Sequence, residues 1–255
     1  MTKQATAPME PCCEELGGDS AGQRARRMVL AIRPKFLTAS ILPVIVGTAW
    51  GAGVAGEFSW GIALLAVFAT ALVHAASNVI NDVSDDTAGG DRLNVERIYP
   101  STGGSRFIQN EIMTAKEMNR LGYGLLAAAA VLGLLLTMIK GPLVLGFGLA
   151  GVAIALFYSL PSVQLAGRGV GELCILIAFG LLPVCGAAWL QSGIVDGPSV
   201  LVAIPVGLWV TLILLINEVP DRRSDEASGK RTLVVRLGID GTRKLYLALH
   251  VAAFT

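Results

Sequence analysis

The chain carries the sequence FSWGIALLAVFATALVHAASNVINDVSDD at residues 58–86. Residues 58–81 are predominantly apolar, and a run of about 20 such residues is long enough to cross a bilayer as a helix. The run ends in a cluster of asparagine and aspartate side chains at 81–86. This stretch therefore predicts a transmembrane helix with an acidic end at the membrane surface.

Apolar segments of this kind recur along the chain. Six are predicted, at residues 37–55, 58–81, 119–139, 142–160, 169–191 and 198–219. A seventh begins near Thr242 and reaches the last residue, Thr255, so we expect the sequence to stop inside a membrane helix. Hydrophobic residues make up 53% of the 255 residues and charged residues only 15%, whereas a soluble domain has about 25% charged residues. The fold class is thus predicted as all-α, a polytopic transmembrane bundle of about seven helices, which excludes nucleic-acid binders, secreted disulfide scaffolds and soluble α/β enzymes.

The basic residues are distributed unevenly over the predicted loops. Nineteen of the twenty lysines and arginines lie in the N-terminal tail through Lys35, the 82–120 loop, the 220–244 loop and at Arg168. Loops rich in lysine and arginine stay in the cytoplasm. We therefore predict a polar cytoplasmic tail at 1–32, a membrane domain at 33–255, and a cytoplasmic position for both long loops.

Two acidic motifs close the second and sixth segments. The sequence NDVSD at 81–85 is repeated as NEVPD at 217–221, and both motifs continue into further acids at Asp91 and Asp225. Side chains four residues apart share a helix face. Asn81 should therefore lie beside Asp85, and Asp221 beside both Asn217 and Asp225.

Carboxylates at a helix C-terminus are unfavourable, because the helix dipole is negative there and like charges repel. A cation between the two motifs would offset this cost, and carboxylate oxygens suit Mg²⁺ shared with a phosphate group. The alternative is a pair of solvated helix ends balanced by nearby arginines. That reading is adequate for one motif but not for two matching motifs on the same predicted face.

The loops that follow the motifs supply basic residues. Arg97 and Arg106 flank the sequence YPSTGGS at 99–105, which could offer backbone N–H groups and guanidinium groups to a diphosphate. Lys230 follows Asp225 closely and could reach a phosphate, although a membrane-surface anchor is an equal alternative. Residues 107–118 are predicted to form a short amphipathic helix with Ile108, Ile112 and Met113 inward, either a lid or an interfacial helix.

Four residues have side chains that could take part in binding or catalysis, but we interpret each of them as structural. Arg33 can extend to lipid headgroups, and Tyr158 lies where interfacial tyrosines are common. A single buried histidine such as His74 is more often a packed residue than a catalyst. Glu172 lies four residues after Arg168, and we expect these two side chains to form an ion pair.

The two acidic motifs resemble those of the UbiA superfamily of intramembrane prenyltransferases. Asn81, Asp82, Asp85 and Asp91 match the first motif of the family, Asn217, Asp221 and Asp225 match the second, and GKRTLVVRLG at 229–238 is similar to the stretch that follows it. Within the superfamily, RPK at 33–35 and YPSTGGS are most similar to the 1,4-dihydroxy-2-naphthoate prenyltransferases of menaquinone synthesis. Gly89 and Glu218 depart from the patterns of related enzymes, which leaves the acceptor open.

The resemblance implies an enzyme, a prenyltransferase that transfers alkyl or aryl groups other than methyl, in the cell (inner) membrane. Its partners would be a polyprenyl diphosphate donor, an aromatic acceptor and the lipid bilayer, without nucleic acid. Mg²⁺ would be held by five aspartates, and diphosphate would be bound by asparagines and basic residues. The metal ligands implied are Asp82, Asp85, Asp91, Asp221 and Asp225, of which all but Asp91 are assigned as catalytic, and the diphosphate ligands are Asn81, Asn217, Arg97, Arg106 and Lys230.

Other functions stay open on the sequence. The same chemistry could act on 4-hydroxybenzoate, a geranylgeranylglyceryl phosphate, haem or a chlorophyllide. A cation transporter also carries intramembrane acids and repeats, but its acids are expected near the bilayer midplane rather than at one rim. A structural subunit would have no need for two matching acidic motifs.

Overall fold

The structure, a computed structural model, describes residues 10–254. All the regular secondary structure in this range is helical. The helices are α1 Cys13–Leu16, α2 Ala21–Ala31, α3 Thr38–Ala55, α4 Trp60–Ala88, α5 Gly90–Leu93, α6 Ala115–Lys140, α7 Leu143–Ser159, α8 Gly171–Leu176, α9 Leu182–Ser192, α10 Gly197–Ala227 and α11 Leu233–Ala252. A 3₁₀ turn at Pro34–Leu37 leads into α3, another at Leu165–Arg168 precedes α8, and a π-helical turn at Ile177–Leu181 joins α8 to α9.

Five helices within the described range are long and apolar enough to cross a membrane. They span Pro34–Ala55, Trp60–Ala88, Ala115–Lys140, Gly171–Ser192 and Gly197–Ala227. The apolar helix Leu143–Ser159 is shorter. All six overlap the predicted apolar segments, and the predicted all-α, polytopic transmembrane fold is confirmed.

Helix ends differ from the prediction where polar residues continue a helix. The predicted segments end at 81 and 219, but α4 runs to Ala88 and α10 to Ala227. Both acidic motifs therefore lie on regular helix. The seventh helix begins at Leu233 rather than near Thr242, because the Thr232 hydroxyl accepts a hydrogen bond from the Val235 N–H at 3.3 Å and caps it. A backbone break at Gly238 then changes the direction of α11.

The predicted helix over 107–118 is wrong. Residues 107–113 form turns and bends, and α6 begins only at Ala115. The reason is local, since Thr114 and Glu117 form a reciprocal capping box that fixes the start of α6. Ile112 and Met113 are nevertheless buried, in agreement with the predicted inward face.

The N-terminal segment packs onto the membrane domain. Leu16 and Ala31 are fully buried in one apolar cluster with Val79, Phe107 and Met118. Leu16 and Ala31 therefore attach the predicted tail to residues 107–113 and to α4. Residues 1–9 of that tail lie outside the described residues.

Close helix packing sets the position of the acidic motifs. The helix pairs in closest association are α3 with α9, α4 with α6, and α10 with α8 and α11. At Gly47, a Cβ atom would lie 2.1 Å from the carbonyl oxygen of Val184, so α3 and α9 are in backbone contact. Within this bundle the C-terminal ends of α4 and α10 face the same space, under the loop at 94–105.

Candidate active site

The first acidic motif occupies the last two turns of α4. Asn81 and Asp85 line a cavity of about 240 Å³, as their four-residue spacing predicts. Asp82 points elsewhere, because its side chain is only 4% exposed and its Oδ2 accepts a hydrogen bond from the Ser105 N–H at 3.1 Å. One face of the motif, with Asn81 and Asp85, therefore lines the cavity. The other face, with Asp82, is hydrogen-bonded to the following loop.

The second acidic motif lines the opposite side of the same cavity. Asn217, Asp221 and Asp225 follow each other at four-residue intervals on α10, and all three line it. The Asp221 Oδ1 accepts a hydrogen bond from the Asn94 Nδ2 at 2.7 Å, which joins the two motifs through the loop after α5. The repeat seen in the sequence is therefore a facing pair in space.

Lys230 joins the two motifs directly. Its Nζ lies 2.8 Å from Asp85 Oδ1 and 3.4 Å from Asp225 Oδ1. Burial lowers the pKa of Lys230, but the carboxylates of Asp85 and Asp225 outweigh it, and the pKa lies above its ordinary value. The lysine therefore stays charged between the two carboxylates.

The loop at 101–105 closes the cavity beside α4. Ser101, Thr102, Gly103 and Gly104 all line it. A Cβ atom at Gly104 would lie 2.8 Å from Asp82 Oδ1 and 3.3 Å from Asp91 Oδ2. Only a residue without a side chain fits here, because φ at this position is also +73°.

Asp91 is buried below this loop, close enough to the other acidic side chains to be affected by their negative charge. It lines the cavity. Burial, together with the charges of Asp85 and Asp82, raises the pKa of Asp91 to about 8. A neighbouring cation would therefore favour its ionised form.

Two predicted diphosphate ligands lie outside the cavity wall. Arg97 pairs with Glu10 at 2.6 Å and also donates to the carbonyl of Asn94. Hydrogen bonding and the charge of Arg97 lower the pKa of Glu10. Arg106 is 7% exposed and donates to the carbonyl oxygen of Asp91 at 2.6 Å. Both arginines therefore hold the loop, while Lys230 alone of the predicted basic ligands lines the cavity.

The donor atoms fit a divalent cation in kind. Asp85, Asp91, Asp221 and Asp225 gather around one cavity and offer hard oxygen ligands of the type that Mg²⁺ prefers. The buried Asp82 Oδ1 also has no hydrogen-bond partner. Within residues 10–254, however, no three His, Cys, Asp or Glu side chains are yet arranged as a ligand set, and Lys230 lies between two of the carboxylates.

The cavity also contains residues for which the sequence favoured structural roles. Arg33, His74 and Tyr158 all line it. His74 Nδ1 is 3.0 Å from the Ser40 hydroxyl, and its ring packs edge-on against Phe179. His74 lies two helical turns before Asn81 on the same helix, but Arg33 and Tyr158 lie on other elements and no spacing connects them to the acidic motifs.

The expected ion pair between Arg168 and Glu172 is wrong. The Arg168 guanidinium instead donates to the Ser162 carbonyl at 3.4 Å. Glu172 begins α8 and is buried against α10, where the Thr211 hydroxyl donates to its backbone carbonyl at 3.3 Å. The four-residue spacing fails because Arg168 lies in a separate 3₁₀ turn, before a break at Gly169.

The sequence has clear relatives among known proteins. The model of the family described as "UbiA prenyltransferase family" matches residues 40–255. The 1,4-dihydroxy-2-naphthoate octaprenyltransferase of Escherichia coli (strain K12) is 33% identical over 89% of this chain and 73% of its own length. The enzyme of the same description from Mycobacterium leprae (strain TN) is also 33% identical, over 86% of this chain and 72% of its own.

The fold has a solved counterpart as well. The structure of a UbiA homolog from Archaeoglobus fulgidus bound to GPP and Mg²⁺ has a TM-score of 0.69 to this chain. The alignment covers 89% of this chain and 74% of that chain, with 19% sequence identity. At this level of identity the similarity establishes a common fold.

Proposed function

Because the chain belongs to the UbiA prenyltransferase family, we propose that it transfers a polyprenyl group from a polyprenyl diphosphate to 1,4-dihydroxy-2-naphthoate. Diphosphate and CO₂ would leave, in a step of menaquinone biosynthesis. The choice of acceptor is supported by relatives described as naphthoate octaprenyltransferases, at 33% identity over most of the chain. A single observation carries the proposal, namely that one cavity gathers both acidic motifs around Lys230.

The polar half of the cavity is the proposed donor site. Asp85, Asp91, Asp221 and Asp225 would hold Mg²⁺, in keeping with the Mg²⁺ and GPP named for the Archaeoglobus homolog. Asp82, the fifth proposed ligand, would have to turn from the Ser105 N–H towards the cavity to reach the metal. When bound, the metal would stabilise negative charge on the departing diphosphate. Asn81 and Asn217 would donate hydrogen bonds to diphosphate oxygens. Lys230 would leave one of its two carboxylate partners and bind a diphosphate oxygen instead.

The remaining basic residues act through the loop in this proposal. Arg97 and Arg106 fasten the segment that carries Ser101 to Gly104, so they would shape the diphosphate end of the cavity. The positive charges of the two arginines, which lie behind the loop, would also attract the bound diphosphate. Loss of either arginine would loosen this segment.

The apolar half of the cavity would contain the reacting carbon atoms. Val210, Ile213, Leu214 and Phe179 line it. The allylic C–O bond breaks, its electron pair leaves with diphosphate, and the apolar walls exclude water from the resulting cation. The electron-rich ring carbon of the acceptor then forms the new C–C bond and loses its carboxyl group as CO₂.

The test is a product analysis in membranes that contain the full-length protein. Mg²⁺ and a polyprenyl diphosphate are added, and 1,4-dihydroxy-2-naphthoate and 4-hydroxybenzoate are offered separately. The expected lipid product contains the prenyl chain and the naphthalene ring without its carboxyl group, as measured by mass spectrometry.

Two results would contradict the acceptor. Prenylated 4-hydroxybenzoate that retains its carboxylate would move the enzyme to ubiquinone-type chemistry. No product with either acceptor, from well-inserted protein, would direct the search to lipid and tetrapyrrole acceptors.

A further inference from the structure

Two buried glutamates face each other at the inner end of the cavity. Glu172 on α8 is 6% exposed and Glu218 on α10 is 8% exposed. Their carboxyl groups are close enough to interact electrostatically across the contact between α8 and α10. Glu218 lines the cavity, and Glu172 lies behind it.

The pair lacks the partners that buried carboxyl groups normally have. Glu172 Oε1 and Glu218 Oε2 are fully buried with no hydrogen-bond partner. Among the ion pairs of residues 10–254, none includes either glutamate, and Lys230 is engaged by Asp85 and Asp225 instead. A buried carboxyl oxygen without a donor is unfavourable, and because Glu218 lines the cavity, a ligand bound there can supply that donor.

That ligand group cannot be the diphosphate. The distinction is one of charge rather than position, since Glu218 directly follows Asn217 on α10. An anionic oxygen would be repelled by the two carboxyl groups. The same cavity is also lined by Tyr158, Ile175 and Phe179, which are side chains against which a flat ring can pack.

We infer that Glu218 accepts a hydrogen bond from a ring hydroxyl of the aromatic acceptor, and that Glu172 orients Glu218 for this contact. The inference rests on the proposed function, and it narrows the acceptor to a hydroxylated aromatic ring whose hydroxyl faces α10. A carboxylate on the same ring must point away from Glu218. Glu218 is thus a substrate-binding residue, and Glu172 is a positioning residue.

The test measures acceptor binding without turnover. The purified full-length protein is saturated with Mg²⁺ and an unreactive thiolodiphosphate analogue of the donor. Dissociation constants are then measured for 1,4-dihydroxy-2-naphthoate and for the two naphthoates that lack one hydroxyl, with wild type, E218Q, E172Q and the exposed control E226Q.

The expected result is a loss of hydroxyl discrimination. The wild type should bind the dihydroxy acceptor about 10- to 100-fold more tightly than one of the monohydroxy analogues. E218Q should reduce that ratio at least tenfold, E172Q by a smaller factor, and E226Q should leave it unchanged. Affinity for the donor analogue and the Mg²⁺ requirement should be the same in all four proteins.

Three outcomes overturn the inference. In the first, E218Q keeps the wild-type ratio. In the second, E218Q weakens the donor analogue or shifts the Mg²⁺ requirement, which would assign Glu218 to the diphosphate site. In the third, wild-type affinity does not depend on a hydroxyl.

Failure of the proposed function is distinguishable from these outcomes. If the wild type binds and prenylates 4-hydroxybenzoate rather than the naphthoate, the proposed acceptor is wrong. The same four proteins are then compared with 4-hydroxybenzoate and benzoate. Loss of the hydroxyl preference in E218Q would still support the inference, and its retention would still overturn it.

Discussion

At the scale of single residues, the site depends on charges that are distant in sequence and adjacent in space. Asp85 and Asp225 both contact Lys230, and their side chains are 19% and 12% exposed. Like charges held this close are costly unless a cation lies between them. The ammonium group of Lys230 is that cation here. In the proposed reaction, Mg²⁺ and Lys230 would neutralise the carboxylates together.

The carboxylates of Asp85 and Asp221 belong to different motifs and are the sharpest test of a shared metal site. Asp85→Asn and Asp221→Asn should each reduce kcat by about 1,000-fold or more, because each change removes a proposed metal ligand whose charge would be worth several kcal/mol. The measurement is Mg²⁺-dependent prenyl transfer in membranes, with protein levels determined by immunoblot.

The exposed Asp240→Asn on α11 is the matched control and should keep wild-type activity. Near-normal activity in both Asp85→Asn and Asp221→Asn membranes would contradict the proposed metal site.

Lys230 provides a second test at this scale. Lys230→Met leaves two buried carboxylates without their cation, and loss of one partner of a buried ion pair costs about 3–5 kcal/mol. The melting temperature of the purified variant in EDTA should therefore fall, and added Mg²⁺ should restore more stability to it than to the wild type.

Lys116→Met, at an exposed position, controls for the loss of a lysine as such. If Mg²⁺ stabilised the wild type and Lys230→Met equally, the lysine and the metal would not share the same carboxylates, and the prediction would be wrong.

At the scale of helices, the contact between α3 and α9 is made by glycines. A Cβ atom would lie 2.1 Å from the Val184 carbonyl oxygen at Gly47 and 2.2 Å from the Ala188 carbonyl oxygen at Gly51. Small residues let membrane helices approach closely, and van der Waals packing then stabilises them. This contact holds the helix that follows Arg33 against α9, which directly follows the π-helical turn that contains Phe179.

Gly47→Ala and Gly51→Ala should each destabilise the protein by about 1–3 kcal/mol, because the added methyl group forces two backbones apart. Gly53→Ala is the control on the same helix, since no atom lies within 4 Å of its Cβ position. It should be neutral or slightly stabilising, as alanine favours helix over glycine. Thermal unfolding in detergent measures all three, and equal stabilities would contradict the tight packing.

At the scale of the whole molecule, the two acidic motifs and the basic loops lie at one end of the bundle. At the other end, Gln191 exchanges hydrogen bonds with the backbone of Ser59, and Asp196 accepts one from the Trp50 indole. Nineteen of twenty basic residues lie in segments assigned to the first end. We propose that this end faces the cytoplasm, by the positive-inside rule.

Cysteine labelling tests this orientation. In a variant whose four cysteines are replaced, Glu96→Cys should react with a membrane-impermeant maleimide only after the cytoplasmic side is opened. Glu57→Cys, at the opposite end, should react in intact cells. Reversed accessibility of the two positions would contradict the assignment.

Much of this protein was determined by its sequence alone. Apolar runs of membrane-spanning length and the five-residue repeat predicted the bundle and the two facing motifs, because burial in lipid and helical periodicity depend on composition and spacing within one segment. Asn81, Asp85, Asp221 and Asp225 accordingly lie where the spacing placed them.

The identity of the side chains that complete the site depends on helix packing and could not be read from the sequence. Arg97 and Arg106 turn into the loop, Lys230 reaches both motifs, and Glu172 meets Glu218 rather than Arg168. Long side chains, and residues in irregular turns, form hydrogen bonds and ion pairs with residues that are distant in sequence. Their contacts therefore follow from how the helices pack, which no spacing within a single segment contains.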